Sequence, residues 1–114
     1  MPRTFKRLYG PAQVATGPTT IYTVPASTRT MIRHVHVNNP SASPVTFTLS
    51  IGADGATTRL FDAFSIPAKS AGVMNSYLDF YWEQDMEAAE ILTVSAGTNN
   101  ILVLTINGYE FTLG

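Results

Sequence analysis

The stretch Val45–Ile51 (VTFTLSI) places apolar side chains at every second position, and no other feature limits the fold as much. Val45, Phe47, Leu49 and Ile51 alternate with Thr46, Thr48 and Ser50. Successive side chains of a strand point to opposite faces, so this pattern makes a strand with one buried and one wet face. A helix would scatter the same residues around its axis. Similar runs recur along the chain. Residues 19–24 are β-branched and end at Pro25, and residues 28–38 form the longest early strand, closed by the turn Asn38-Asn39-Pro40-Ser41. Asp54-Gly55 is a hairpin-type turn signal. Further strands are expected at 57–66, 72–82, 91–96, 101–107 and 109–113. Residues 83–90 (EQDMEAAE) are good helix formers but too few for a stable helix, so a single helical turn is expected there. Short strands separated by Gly, Pro and Asn, with no alternation of strand and helix, imply an all-β fold. We expect an antiparallel β-sandwich or jelly roll of seven to eight strands with an extended N-terminal arm.

With 114 residues the chain suits a single domain, here divided into an arm (1–18) and a sandwich (19–114). In the arm, Gly10, Pro11, Gly17 and Pro18 interrupt any sustained period, and each proline removes a backbone donor. Arg3, Phe5, Lys6, Arg7, Leu8 and Tyr9 lie ahead of this tether. A cationic segment with three large apolar side chains reads as a docking element that reaches a neighbouring subunit, or else as an edge strand on its own domain.

Charge is segregated along the sequence. Every charged side chain before Asp54, His34 and His36 apart, is basic, whereas Asp79, Glu83, Asp85, Glu87 and Glu90 are all acidic. Glu83, Asp85, Glu87 and Glu90 therefore form a candidate acidic patch on which the basic end of another copy could dock; otherwise they form a solvated face. The formal net charge of −1 gives no whole-molecule field favouring nucleic acid or membrane as a partner. No apolar run approaches a membrane span, and the N-terminal residues lack a signal-peptide pattern, so folding in a cytoplasm is expected.

Candidates for catalysis are few. There is no cysteine, hence no disulfide, thiol nucleophile or thiolate zinc site. Neither a Gly-x-Ser-x-Gly elbow nor a glycine-rich phosphate loop occurs. His34 and His36, two apart on a strand, project to the same face as two metal ligands would, but no further ligand lies nearby in sequence. No metal, no cofactor and no enzymatic activity are expected. Among the aromatic residues, Phe80 and Trp82 share a strand face with Met74 and Leu78 and are expected in the core. Tyr77, Asp79 and Tyr81 point the other way, as a subunit interface or a flat platform for a sugar ring.

The pieces Val24-Pro25-Ala26, Asn39 to Ser43 (NPSAS), Val45 to Gly52 (VTFTLSIG), Ile66 to Gly72 (IPAKSAG) and Ile106 to Glu110 (INGYE) follow one another in an informative order. Across residues 19–110 the chain resembles the small virion-associated β-sandwich proteins of tailed bacteriophages. It departs from them at Lys69-Ser70 and at Glu87 to Glu90, where that family commonly carries an acidic residue and a Gly-Asp turn. The resemblance implies a virion structural protein, a head decoration or tail accessory subunit. Its expected partners are copies of itself, a homotrimer first, and other virion proteins such as the major capsid or tail proteins. The alternative of another class is a carbohydrate-binding module for host-surface glycans.

Overall fold

The computed structural model describes residues 3–69 and 75–113. Eight antiparallel strands follow in chain order: β1 (Arg3–Gln13), β2 (Thr19–Thr23), β3 (Thr28–Asn38), β4 (Val45–Ile51), β5 (Arg59–Ile66), β6 (Tyr77–Met86), β7 (Ile91–Ala96) and β8 (Val103–Thr112). They form two four-stranded sheets, one in the order β1-β8-β3-β6 and the other β2-β7-β4-β5. First pairs with last and inward from there: β1 with β8, β2 with β7, β3 with β6, and β4 with β5. This is one long antiparallel ribbon, turned between β4 and β5 and rolled until β3 meets β8 and β4 meets β7. The fold is therefore a jelly roll.

The alternation read from the sequence fills the space between the sheets. Val45, Phe47 and Leu49 from β4 meet Val35 and Val37 from β3, Leu92 and Val94 from β7, and Leu104 and Ile106 from β8 in one buried cluster. Among the described residues no buried side-chain nitrogen or oxygen lacks a partner. The fully buried Asn39 shows how this is achieved. Its amide nitrogen donates to the carbonyls of Ser43, Ile66 and Pro67 at 2.9, 3.1 and 3.2 Å, and its oxygen accepts from Ser41, so one side chain holds the turn after β3 against the end of β5.

Three expectations need correction. The stretch expected as a detached arm, 1–18, contributes edge strand β1, which pairs with β8 of its own chain from Arg3 to Gln13. Leu8 and Val14 are buried in the core and Tyr9 packs against it, so two of the three large apolar side chains of this segment, Leu8 and Tyr9, pack on their own domain, while Phe5 stays exposed. Gly10 lets the strand pass: its φ is +82°, and a Cβ there would collide with the Leu104 carbonyl. The helical turn expected over 83–90 begins as strand, since β6 continues to Met86 and only a tight turn at Ala88 and Ala89 follows. Finally, the two strands expected at 101–107 and 109–113 are one, β8, running through Gly108. The beginning of the strand expected at 72–82, including Met74, lies outside the described residues.

Candidate functional site

Strands β5 and β6 are the outer strands of the two sheets on the same side of the sandwich, and Phe61, Phe64, Tyr77, Phe80, Tyr81 and Trp82 gather there. A bulge in β5 contributes. Phe64 is opposite Phe47 and Phe61 is opposite Leu49, so the two residues between them face Thr48 alone. Ala63 takes a φ of +49° and its N–H donates to the Thr48 hydroxyl at 3.0 Å. With the extra residue, Phe61 and Phe64 fall on the same face. Phe61 then meets Phe80 edge-on at 5.5 Å and Trp82 at 6.0 Å, while Phe80 lies 5.0 Å from Trp82.

This cluster closes the side of the core incompletely. Phe80, expected inside, is 41% exposed and Phe64 is 45% exposed, because among the described residues no further strand covers them. Trp82 is half-buried. Beside them an open groove of about 600 Å³ is lined by Phe64, Ser65, Pro67, Asn75, Tyr77, Leu78 and Asp79.

The outer face of β6 carries Tyr77, Asp79 and Tyr81 as the alternation required, and the ladder sets them beside β3. His34 is opposite Tyr81, His36 opposite Asp79, and Asn38 opposite Tyr77. Tyr81 stacks on His34 with centroids 4.2 Å apart and planes 8° from parallel; Tyr77 stacks on His36 at 5.5 Å and 27°. Asp79 Oδ1 contacts His34 Nε2 and also His36 Nδ1, the latter at 3.0 Å. The hydrogen bond with His34, reinforced by that with His36, holds the Asp79 carboxyl below the usual carboxylate range against an opposing desolvation. From the other side, the Asn107 amide lies 3.3 Å from His34 Nδ1. Sequence reading paired the two histidines but missed their contacts with Asp79 and Asn107, which arise from cross-strand register and leave no local signal.

The acidic patch is also altered by the fold. Arg33 bonds Glu83 at 3.3 Å, and Arg29 bonds Asp85 and lies 4.0 Å from Glu87. Glu90 accepts the backbone N–H of Glu87 at 2.7 Å, closing the turn after β6. Charge that is segregated in sequence is thus matched across the β3–β6 ladder within one chain, and this weakens the case for docking of the basic end of another copy on these acids.

The expected docking residues of β1 are occupied in the same way. Leu8 is buried, Lys6 bonds Glu110 at 3.2 Å, and Arg3 sits over the Tyr109 ring at 4.8 Å. Phe5 packs beside Tyr109 at 5.2 Å but remains 61% exposed; Tyr9 is half-buried and Arg7 exposed.

No protein-family model matches the chain, and no curated protein matches it in sequence. Solved structures do. One is a chain from Bacillus endospore appendages, described as a novel family of disulfide-linked pili, at 13% identity and a TM-score of 0.55 over 98% of this chain and 89% of that one. Another is a pentameric capsid protein isolated from metagenomic phage sequences, at 17% identity and a TM-score of 0.45, covering 93% of this chain and 60% of that one. A third comes from infectious bursal disease virus Gt strain, at 10% identity and a TM-score of 0.31, of which this chain spans 29%. The last two are too distant in shape to bear on the argument. The likeness to the first is one of fold alone, and it spans nearly the whole of both chains.

Proposed function

We propose that the chain is a structural subunit of a virion, a head decoration or tail accessory protein of a tailed bacteriophage, which works by protein–protein assembly and not by catalysis. The observation that carries this reading is the aromatic band along the open β5–β6 edge, where Phe64, Phe80, Tyr77 and Tyr81 are 45, 41, 41 and 64% exposed. Exposed aromatic residues next to strand edges that are unpaired among the described residues suit a subunit contact, in which Tyr and Phe are enriched. A second copy of the chain is the first partner, in a homotrimer, and capsid or tail proteins are the next. The sequence resemblance over residues 19–110 supports a virion location, with folding in the host cytoplasm before assembly. The fold shared with a pilus protein is compatible with repetitive assembly, although disulfide linkage is closed to a chain without cysteine.

A glycan-binding reading has one observation in its favour: Tyr77, Asp79 and Asn75 bring an aromatic ring and polar groups to the groove beside β6. Sedimentation velocity over a range of protein concentrations separates the two. An assembly subunit forms a defined oligomer that Phe64→Asp with Phe80→Asp dissolves. A protein that stays monomeric and binds a glycan through Tyr77 supports the second reading and overturns the first.

A further inference from the structure

We infer that His34, His36 and Asp79 form a binding site for a divalent transition-metal ion of the zinc type on the outer face of the β1-β8-β3-β6 sheet. The two histidines alternate with Val35 and Val37, so the burial of those valines in the core turns both imidazoles outward. The β3–β6 register then brings the carboxylate of Asp79 to His36. One nitrogen of each ring and one carboxylate oxygen lie within 4.8 Å of one another. Ligand atoms on a common tetrahedral zinc ion, at bond lengths of about 2.0–2.2 Å, are about 3.3 Å apart. The 3.0 Å between His36 Nδ1 and Asp79 Oδ1 is close to that spacing, and rotation of the Asp79 side chain suffices to admit an ion.

Three features make this more than a chance meeting of polar groups. Both rings are held before any ion arrives, His34 by the Tyr81 ring and His36 by Tyr77, so little rotamer freedom is lost on binding. Asn107 stands at the non-ligating nitrogen of His34, the place from which an outer hydrogen bond orients a metal-bound imidazole; with its amide oxygen turned to that nitrogen it accepts the Nδ1 proton. The side chains of His34, His36 and Asp79 are 18, 39 and 33% exposed, which gives an ion a route in and leaves its remaining coordination position to solvent. Two imidazoles and one carboxylate suit zinc, copper or nickel, whereas magnesium and calcium require oxygen ligands throughout.

The test uses the full chain without a histidine tag, freed of metal with EDTA and desalted. The chain has only two histidines, so the imidazole NMR signals report on this site, while calorimetry gives the stoichiometry and affinity. Titration with zinc chloride should give one ion per chain, with magnesium chloride giving no heat of binding, and both imidazoles should shift in the wild-type spectrum. His36→Ala and Asp79→Asn should each weaken binding at least tenfold, and Asn107→Ala by about tenfold, the low end of the effect of removing an outer hydrogen bond. Zinc that binds without moving the imidazole signals, binding unchanged in the His34→Ala/His36→Ala double variant, or no binding at all would overturn the assignment. The wild-type spectrum decides the matter even where a variant is unstable.

Discussion

Tyr22 on β2 donates its hydroxyl proton to Glu110 on β8, a bond that ties the two sheets of the jelly roll together. The Thr30 hydroxyl, 2.7 Å away, completes the contact by donating to the phenol oxygen, and Lys6 holds the other carboxylate oxygen. Burial, then the Glu110 hydrogen bond, push the Tyr22 phenol well above the ordinary tyrosine range, with Thr30 opposing them. A phenol raised on folding contributes stability that is present below its unfolded pKa of about 10 and is lost as pH rises through the folded value. An absorbance titration of the phenolates should therefore show a tyrosine that resists ionisation at high pH and disappears in Tyr22→Phe. That variant should also lose about 1 kcal/mol of stability at neutral pH. Superimposable titrations of the two proteins would contradict the arrangement.

Strand β1 belongs to the folded domain, and this changes what truncation should do. Removing residues 1–13 uncovers one side of β8 and takes Leu8 from the core, so the chain should lose several kcal/mol, of which Leu8 alone accounts for about 2–5. Gly10→Ala should be nearly as damaging, since the added methyl meets the Leu104 carbonyl and the backbone is in the left-handed region. Urea unfolding of both variants checks this. A truncated chain as stable as the parent would restore the detached arm.

Asp79 gives an acid-side prediction. Its folded pKa is depressed, foremost by His34, so its contribution is present above the unfolded value of about 4 and is lost as pH falls through the lower folded value. In chemical denaturation between pH 5 and 2, Asp79→Asn should lose less stability than wild type over this window. Equal slopes would show that the carboxylate is not held by the histidines.

Much of the fold was legible in local pattern, and the failures share a cause. β3, β4 and β7 run between the residues expected for them because each has a face inside the sandwich, and the period of two holds on both sides of the irregularity that β3 carries between Ile32 and His34. In β6, Gln84 and Met86 continue the inward set, but Glu, Gln, Met and Ala carry helix propensity that masked a period of two over so few residues. Gly108 read as a break between strands, whereas it sits inside β8 because a Cβ there would strike the Met31 carbonyl of β3. Whether an inward-facing residue is buried also depends on strand order. Phe80 points inward yet stays partly wet because β6 is the last strand of its sheet, and topology of that kind is not written in any short window. The His34–His36–Asp79 contact is of the same type: 43 residues separate His36 from Asp79, and only the β3–β6 register joins them.

The absence of cysteine gives the most direct test of assembly through the β5–β6 edge, because an introduced thiol is the only one in the chain. Ser65→Cys places it beside Phe64 on the exposed edge of β5, and Thr20→Cys places it on β2, the opposite edge strand of the same sheet. With a short bis-maleimide linker at the concentration where the protein sediments as an oligomer, Ser65→Cys should yield covalent dimers of the chain and Thr20→Cys should not. Adding Phe80→Asp to Ser65→Cys should abolish the product. Cross-linking from Thr20→Cys alone, or no product from Ser65→Cys while the oligomer persists, would contradict the account.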